Sequence, residues 1–143
     1  MRKRPLQIAT AILACVPTLT GLLAMTGLDD PLYRALQLPP DATLDSNLRF
    51  YGGVWLGVGL AAFWLLPRIE RETTLFRCLW LMIFLGGAGR LLSLALAGMP
   101  LPPFVGFTAL EVLGAPLFVW WQARVARAAA VGAAAPPVLR RVA

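Results

Sequence analysis

Apolar residues fall along this chain in four long, almost unbroken stretches, at residues 6–25, 48–66, 75–97 and 104–121. None shows the periodic polar face of a helix packed on a soluble core; each is apolar nearly all round. Each is close to the roughly 20 residues that a helix needs to cross a ~30 Å hydrocarbon layer. Membrane β-strands would instead alternate over segments of about ten residues, a pattern missing here. The expectation is an all-α, polytopic membrane protein: a four-helix transmembrane bundle over residues 1–125, followed by a basic tail at 126–143.

The connections add detail. In the segment at 26–47, Asp30-Pro31 offers a capping residue followed by proline at the first helical position. The run from Leu32 to Leu38 then gives two turns before Pro39-Pro40 stops them. This predicts a short amphipathic helix on the outer surface, or a lid over an outward-facing cavity. Asp45, Ser46 and Asn47 are expected to cap the second span. Pro17 and Pro116 should bend the first and fourth. Gly53, Gly57 and Ala61 form one stripe of small residues, and Gly89, Ser93 and Ala97 another; such stripes let helix backbones approach closely in lipid. Gly86-Gly87-Ala88-Gly89 also reads as close packing. The alanine-rich tail, with Pro136-Pro137 and no apolar period, is expected to be disordered.

Composition agrees with the pattern: of 143 residues, 59% are hydrophobic and 14% charged, far less charge than a soluble domain carries. The mean hydropathy is +0.72. Charge placement predicts orientation. Ten of the thirteen basic residues lie at the N-terminus (Arg2, Lys3, Arg4), in the second connection (Arg68, Arg71, Arg77) or in the tail (Arg124, Arg127, Arg140, Arg141). The opposite side has only Arg34, against Asp29, Asp30, Asp41 and Asp45. The positive-inside rule then puts both termini in the cytoplasm and the connections at 26–47 and 98–103 outside. Trp64, Trp80, Trp120 and Trp121 fall near the cytoplasmic ends, as an interfacial belt would. Arg2-Lys3-Arg4 before an apolar run also opens a signal peptide, but 23–26 fits a cleavage site poorly, so an uncleaved helix is expected. The net charge of +6 belongs to these flanks, where it meets anionic headgroups; no basic and aromatic cluster points to nucleic acid.

Candidate chemistry is sparse. The chain has no histidine and two cysteines, which excludes imidazole acid–base catalysis and histidine ligation of haem or zinc. Cys15 and Cys78 should differ in depth by roughly 9 Å, beyond easy disulfide reach, and read as small apolar fillers. No nucleophile elbow, phosphate loop or dinucleotide fingerprint occurs. No catalytic residue, cofactor or metal is expected.

Two ionisable residues stand inside the apolar stretches at matching depth. Arg90 lies eight residues in from Gly98, or ~12 Å at helical rise. Glu111 lies seven residues in from Phe104, or roughly 10 Å from the same surface. A lone charge at such depth costs at least ~2.5 kcal/mol, so opposite charges on adjacent antiparallel spans should pair. Ser93 is one turn outward of Arg90, and Thr108 one turn outward of Glu111. Arg49, beside Asn47 and Tyr51 at the outer end of the second span, has a side chain long enough to bend inward to them or to snorkel to the headgroups. The candidate cluster is therefore Arg49, Arg90, Glu111, Ser93, Thr108 and Asn47. It serves either as an internal clamp that sets helix register or as a polar site open to the outer side for an anionic headgroup, a small polar molecule or a proton.

The motifs Asn47-Leu48-Arg49-Phe50-Tyr51-Gly52-Gly53, Arg90-Leu91-Leu92-Ser93 and Glu111 give the chain a family likeness. It resembles the small bacterial four-helix membrane proteins of domain of unknown function 4345, over roughly residues 6–124. That resemblance implies a bacterial inner-membrane bundle and supplies no activity. Two function classes follow: a structural or accessory membrane protein, or a binding or transport protein for a lipid-like or small polar ligand. Membrane lipids are the expected partners, with a homo-oligomer or a larger membrane complex left open. An enzyme would have only Arg49, Arg90 and Glu111 to work with, and no nucleophile–base arrangement is visible.

Overall fold

A computed structural model of the protein describes residues 3–134. All regular structure among them is helical. The main helices are α1 (Arg4–Ala24), α2 (Ala42–Leu65), α3 (Thr73–Ala97), α4 (Pro102–Ala109) and α5 (Ala115–Ala134), with a π-helical turn at Leu110–Gly114 joining the last two. Four runs among the described residues are long and apolar enough to cross a membrane: α1, α2 with its following turn, α3, and the continuous α4–α5 run. At most 28% of the most apolar window of any run is buried inside the protein. Leucines such as Leu85, Leu92 and Leu96 stand on the outside. In water that surface would be unfavourable; against acyl chains it costs nothing. The chain divides into two compact units, Gln7–Pro67 and the remainder.

In the unit Gln7–Pro67, α1 and α2 meet through glycines. A Cβ added at Gly21 would overlap the backbone of Leu56, and one at Gly52 would lie 2.7 Å from the backbone of Ala24 and Met25. Gly59 packs in the same way on Thr18. The close-packing face is thus Gly52 and Gly59; at the expected stripe residues Gly53 and Gly57 an added Cβ meets nothing within 4 Å. Both sets are spaced for one helix face, and the sequence alone leaves the rotation of α2 open. The indole N–H of Trp55 donates to the Thr20 hydroxyl (2.9 Å), and Gln7 Nε2 donates to the Leu66 carbonyl (2.8 Å). Such bonds hold helices together where hydrophobic association is weak.

The segment between α1 and α2 holds two short 3₁₀ turns, Gly27–Asp29 and Arg34–Leu36. The second is what remains of the expected two-turn surface helix. Gln37 adopts a left-handed conformation (φ 46°) that ends it, and Pro39 disfavours helical backbone at the preceding Leu38. Asp30 performs the turn-starting role expected of it, its Oδ1 accepting from the Leu32 N–H at 2.9 Å. The cap of α2 differs from expectation. Asp41, not Asp45, Ser46 or Asn47, accepts from the Leu44 N–H at 2.8 Å, so α2 begins at Ala42, ahead of the expected start at 48, and Asp45 is released for other contacts.

In the other unit, α3 packs along the α4–α5 run. Its buried stripe runs Thr108, Glu111, Ala115, Phe118, Gln122 and Val125, spaced alternately three and four apart as one helix face requires. Trp80 stacks on Phe118 with centroids 4.4 Å apart and is 6% exposed. It is therefore a core residue here, unlike Trp64 and Trp120, which are exposed as a belt demands. Cys15 and Cys78 are free and exposed rather than buried fillers. Helix α5 continues to Ala134, through the first half of the segment expected to be disordered; alanines, the strongest helix formers, carry it there. The rest of that expected tail, residues 135–143, lies outside the described residues.

Candidate functional site

Arg90 and Glu111 are partners. Arg90 Nε donates to Glu111 Oε2 at 2.9 Å, with the arginine side chain 36% exposed and the glutamate 9%. Three local features produce this geometry. Gly87, one turn before Arg90, brings α3 against the π turn: a Cβ there would lie 2.7 Å from Glu111 Cβ and 2.9 Å from Val112 Cγ2. The π turn itself carries Glu111. Its cause is close by, since Pro116 has no N–H to donate and its ring crowds the carbonyl four residues back, and a widened turn just ahead of the proline relieves both. Finally, Phe104 lies with its ring centroid 5.4 Å from the Arg90 guanidinium carbon, within cation–π range.

The remaining expected residues divide between neighbours of this pair and residues of the other unit. Thr108 is buried about one turn before Glu111 in the chain, its hydroxyl donating to the Phe104 carbonyl at 2.8 Å. Ser93 is exposed about one turn after Arg90 in the chain. Arg49 is bound within the unit Gln7–Pro67. Its Nε donates to Asp45 Oδ2 (2.7 Å), Nη2 to Asp45 Oδ1 (3.2 Å) and Nη1 to the Met25 carbonyl (2.9 Å). Asp45 Oδ1 also accepts the Leu28 N–H at 3.0 Å, and Gly27, at φ 69°, leaves room for that carboxylate where a Cβ would collide with it. Asn47 is exposed beside this clamp.

Two further polar groups, Asp45 and Gln122, make contacts that the apolar pattern does not announce. Asp45, expected to cap the second span, stands at the i,i+4 spacing of an ion pair with Arg49. Gln122 is fully buried and donates to the Ile69 carbonyl (3.0 Å) and the Thr73 hydroxyl (3.1 Å); its place on the Thr108–Glu111 stripe is the signal that could have found it. Beside Ile69, Glu70 receives the Lys3 ammonium at 2.8 Å. Partial burial pushes the Glu70 carboxyl up, but the Lys3 hydrogen bond and the charges of Lys3 and Arg71 outweigh it and hold the group below its ordinary range. No group of three or more metal-ligating side chains occurs among the described residues.

Residues 5–122 match the family of domain of unknown function DUF4345, and the chain belongs to that family. No curated protein and no solved structure matches it.

Proposed function

We propose that this member of the DUF4345 family is an accessory integral protein of a bacterial inner membrane, crossing it four times with both termini in the cytoplasm. The carrying observation is the Arg90–Glu111 pair at 2.9 Å. An ion pair between two apolar helices fixes their register, because sliding either helix by a turn strands both charges in hydrocarbon. The distribution of basic flanks supports the orientation. Lipids are the immediate partners of the exposed leucines on these spans. Reporter fusions at residue 40 and at the C-terminus test the topology. The C-terminal reporter is expected inside and the residue-40 reporter outside; an exported C-terminal reporter would overturn the four-span arrangement.

A second reading rests on a separate observation. Glu111 engages only the Nε of Arg90, while Nη1 and Nη2 hydrogen-bond no described residue. An arginine with its fork free, partly exposed at an apolar surface, supports a ligand-binding role at the outer half of the pair.

A further inference from the structure

The second reading can be given a chemistry, on which the following inference rests. A guanidinium has five N–H donors in a planar fork and cannot shed its charge. Glu111 takes one of them. The Nη1 and Nη2 donors remain, on a side chain 36% exposed. Ser93, three residues further along α3, shares the helix face of Arg90, and its side chain leans back toward that residue. Its hydroxyl makes no hydrogen bond to any described residue, although a helical serine commonly bonds its own backbone one turn back. Two adjacent side chains thus present unfilled donors at an apolar surface, where a donor left bare is unfavourable.

The shape and charge of this donor set select the ligand. A coplanar pair of nitrogens fits two oxygens of one tetrahedral or planar oxyanion, and an adjacent hydroxyl fits a third oxygen best when the anion is tetrahedral. The Arg90–Glu111 pair is neutral overall, so the site offers hydrogen bonds rather than net positive charge, and a singly charged phosphodiester suits it better than a doubly charged phosphate. We propose that the Nη1 and Nη2 groups of Arg90, with the hydroxyl of Ser93, bind a phosphoryl group. The source is either a phospholipid headgroup drawn down from the facing leaflet or a phosphate-bearing solute entering from the outer side. Thr108, its proton committed to the Phe104 carbonyl, is not a donor to it.

The experiment is native mass spectrometry of the full chain in detergent. The probes are phosphatidylglycerol, diacylglycerol with the same acyl chains, and inorganic phosphate. The expected result is retention of phosphatidylglycerol over diacylglycerol. Arg90→Lys, which keeps the charge opposite Glu111 but loses the fork, should weaken retention about tenfold or more, the worth of a hydrogen bond to a charged group. Ser93→Ala, at an exposed position where folding is not at stake, should weaken it severalfold. Displacement of the lipid by inorganic phosphate would support the site and assign it to a solute; resistance to phosphate would support it and assign it to the lipid. Equal retention of the two lipids overturns the proposal, as does indifference to both variants. An Arg90-dependent adduct without phosphorus, such as a fatty acid, would overturn the phosphoryl inference while leaving a ligand site in place. No Arg90-dependent adduct of any kind would remove the ligand reading itself and leave the clamp.

Discussion

The Arg49–Asp45 and Arg90–Glu111 pairs differ in their surroundings, and the better-formed one is expected to matter less. Arg49 grips Asp45 with two nitrogens and the Met25 carbonyl with the third, yet both side chains are substantially exposed (49% and 30%) and lie one turn apart on the same helix. Arg90 holds Glu111 by a single bond across two helices, with the carboxylate almost fully buried. Geometry favours the first pair; surroundings favour the second. Around Arg49, water and headgroups compete for each charge, and holding a long side chain still costs entropy. Among the described residues, Glu111 is hydrogen-bonded only by Arg90. The worth of an ion pair is set by what would replace it.

Several substitutions sharpen or break this contrast. The largest effect is expected for Glu111→Leu, which leaves Arg90 without its counter-charge; breaking a buried pair costs ~3–5 kcal/mol. It should give a marked drop in Tm in detergent. A drop no larger than that of Asp45→Ala would erase the distinction between the two pairs. Next comes Gly87→Ala, whose methyl must push on Glu111 Cβ and Val112 Cγ2; overpacking of this kind costs ~1–3 kcal/mol. Its Tm should fall between those of the wild type and Glu111→Leu. A smaller loss is expected for Arg49→Ala, and it should shrink further as salt is added, because exposed pairs are screened. The Glu111→Leu loss should be nearly independent of salt.

The smallest effect concerns the ion pair in the connection before α3. Glu70 is held below its ordinary carboxyl range by Lys3, so the folded state binds its proton less readily than the unfolded chain. Its contribution is therefore fully present above the unfolded value of about 4.3 and is lost as pH falls through the lowered folded value. Tm measured on acidification should decline less steeply in Lys3→Ala than in the wild type. Parallel profiles would show that the pair contributes nothing.

How far the sequence foretold this arrangement depends on the kind of signal. The four spans were legible because a run of apolar residues reports directly on burial in lipid. Arg90 and Glu111 were legible as partners because helical rise converts sequence offset into depth. The π turn that carries Glu111 was not, since Pro116 announces a distortion without saying whether the chain kinks or widens. Rotation about a helix axis was also hidden: Gly53 and Gly57 matched the packing pattern as well as Gly52 and Gly59, and only the partner helix distinguishes them. Asp41 and Asp45 are both good caps on composition, and the choice between them depends on Arg49 reaching back one turn. Gln122 escaped because a polar residue near the end of a span ordinarily faces the headgroups.

Arg90 and Glu111 are expected to be energetically coupled, and a double-mutant cycle in detergent measures that coupling most directly. The set is Arg90→Met, Glu111→Gln and both together, compared by thermal unfolding. If the two side chains hold each other in the interior, each single variant strands a charge and the double variant removes both. The double variant should then recover much of the summed loss, with a coupling of roughly 0.5–3 kcal/mol. Strictly additive losses would mean that the residues do not depend on one another, and the pair would no longer explain how the third and fourth spans are held.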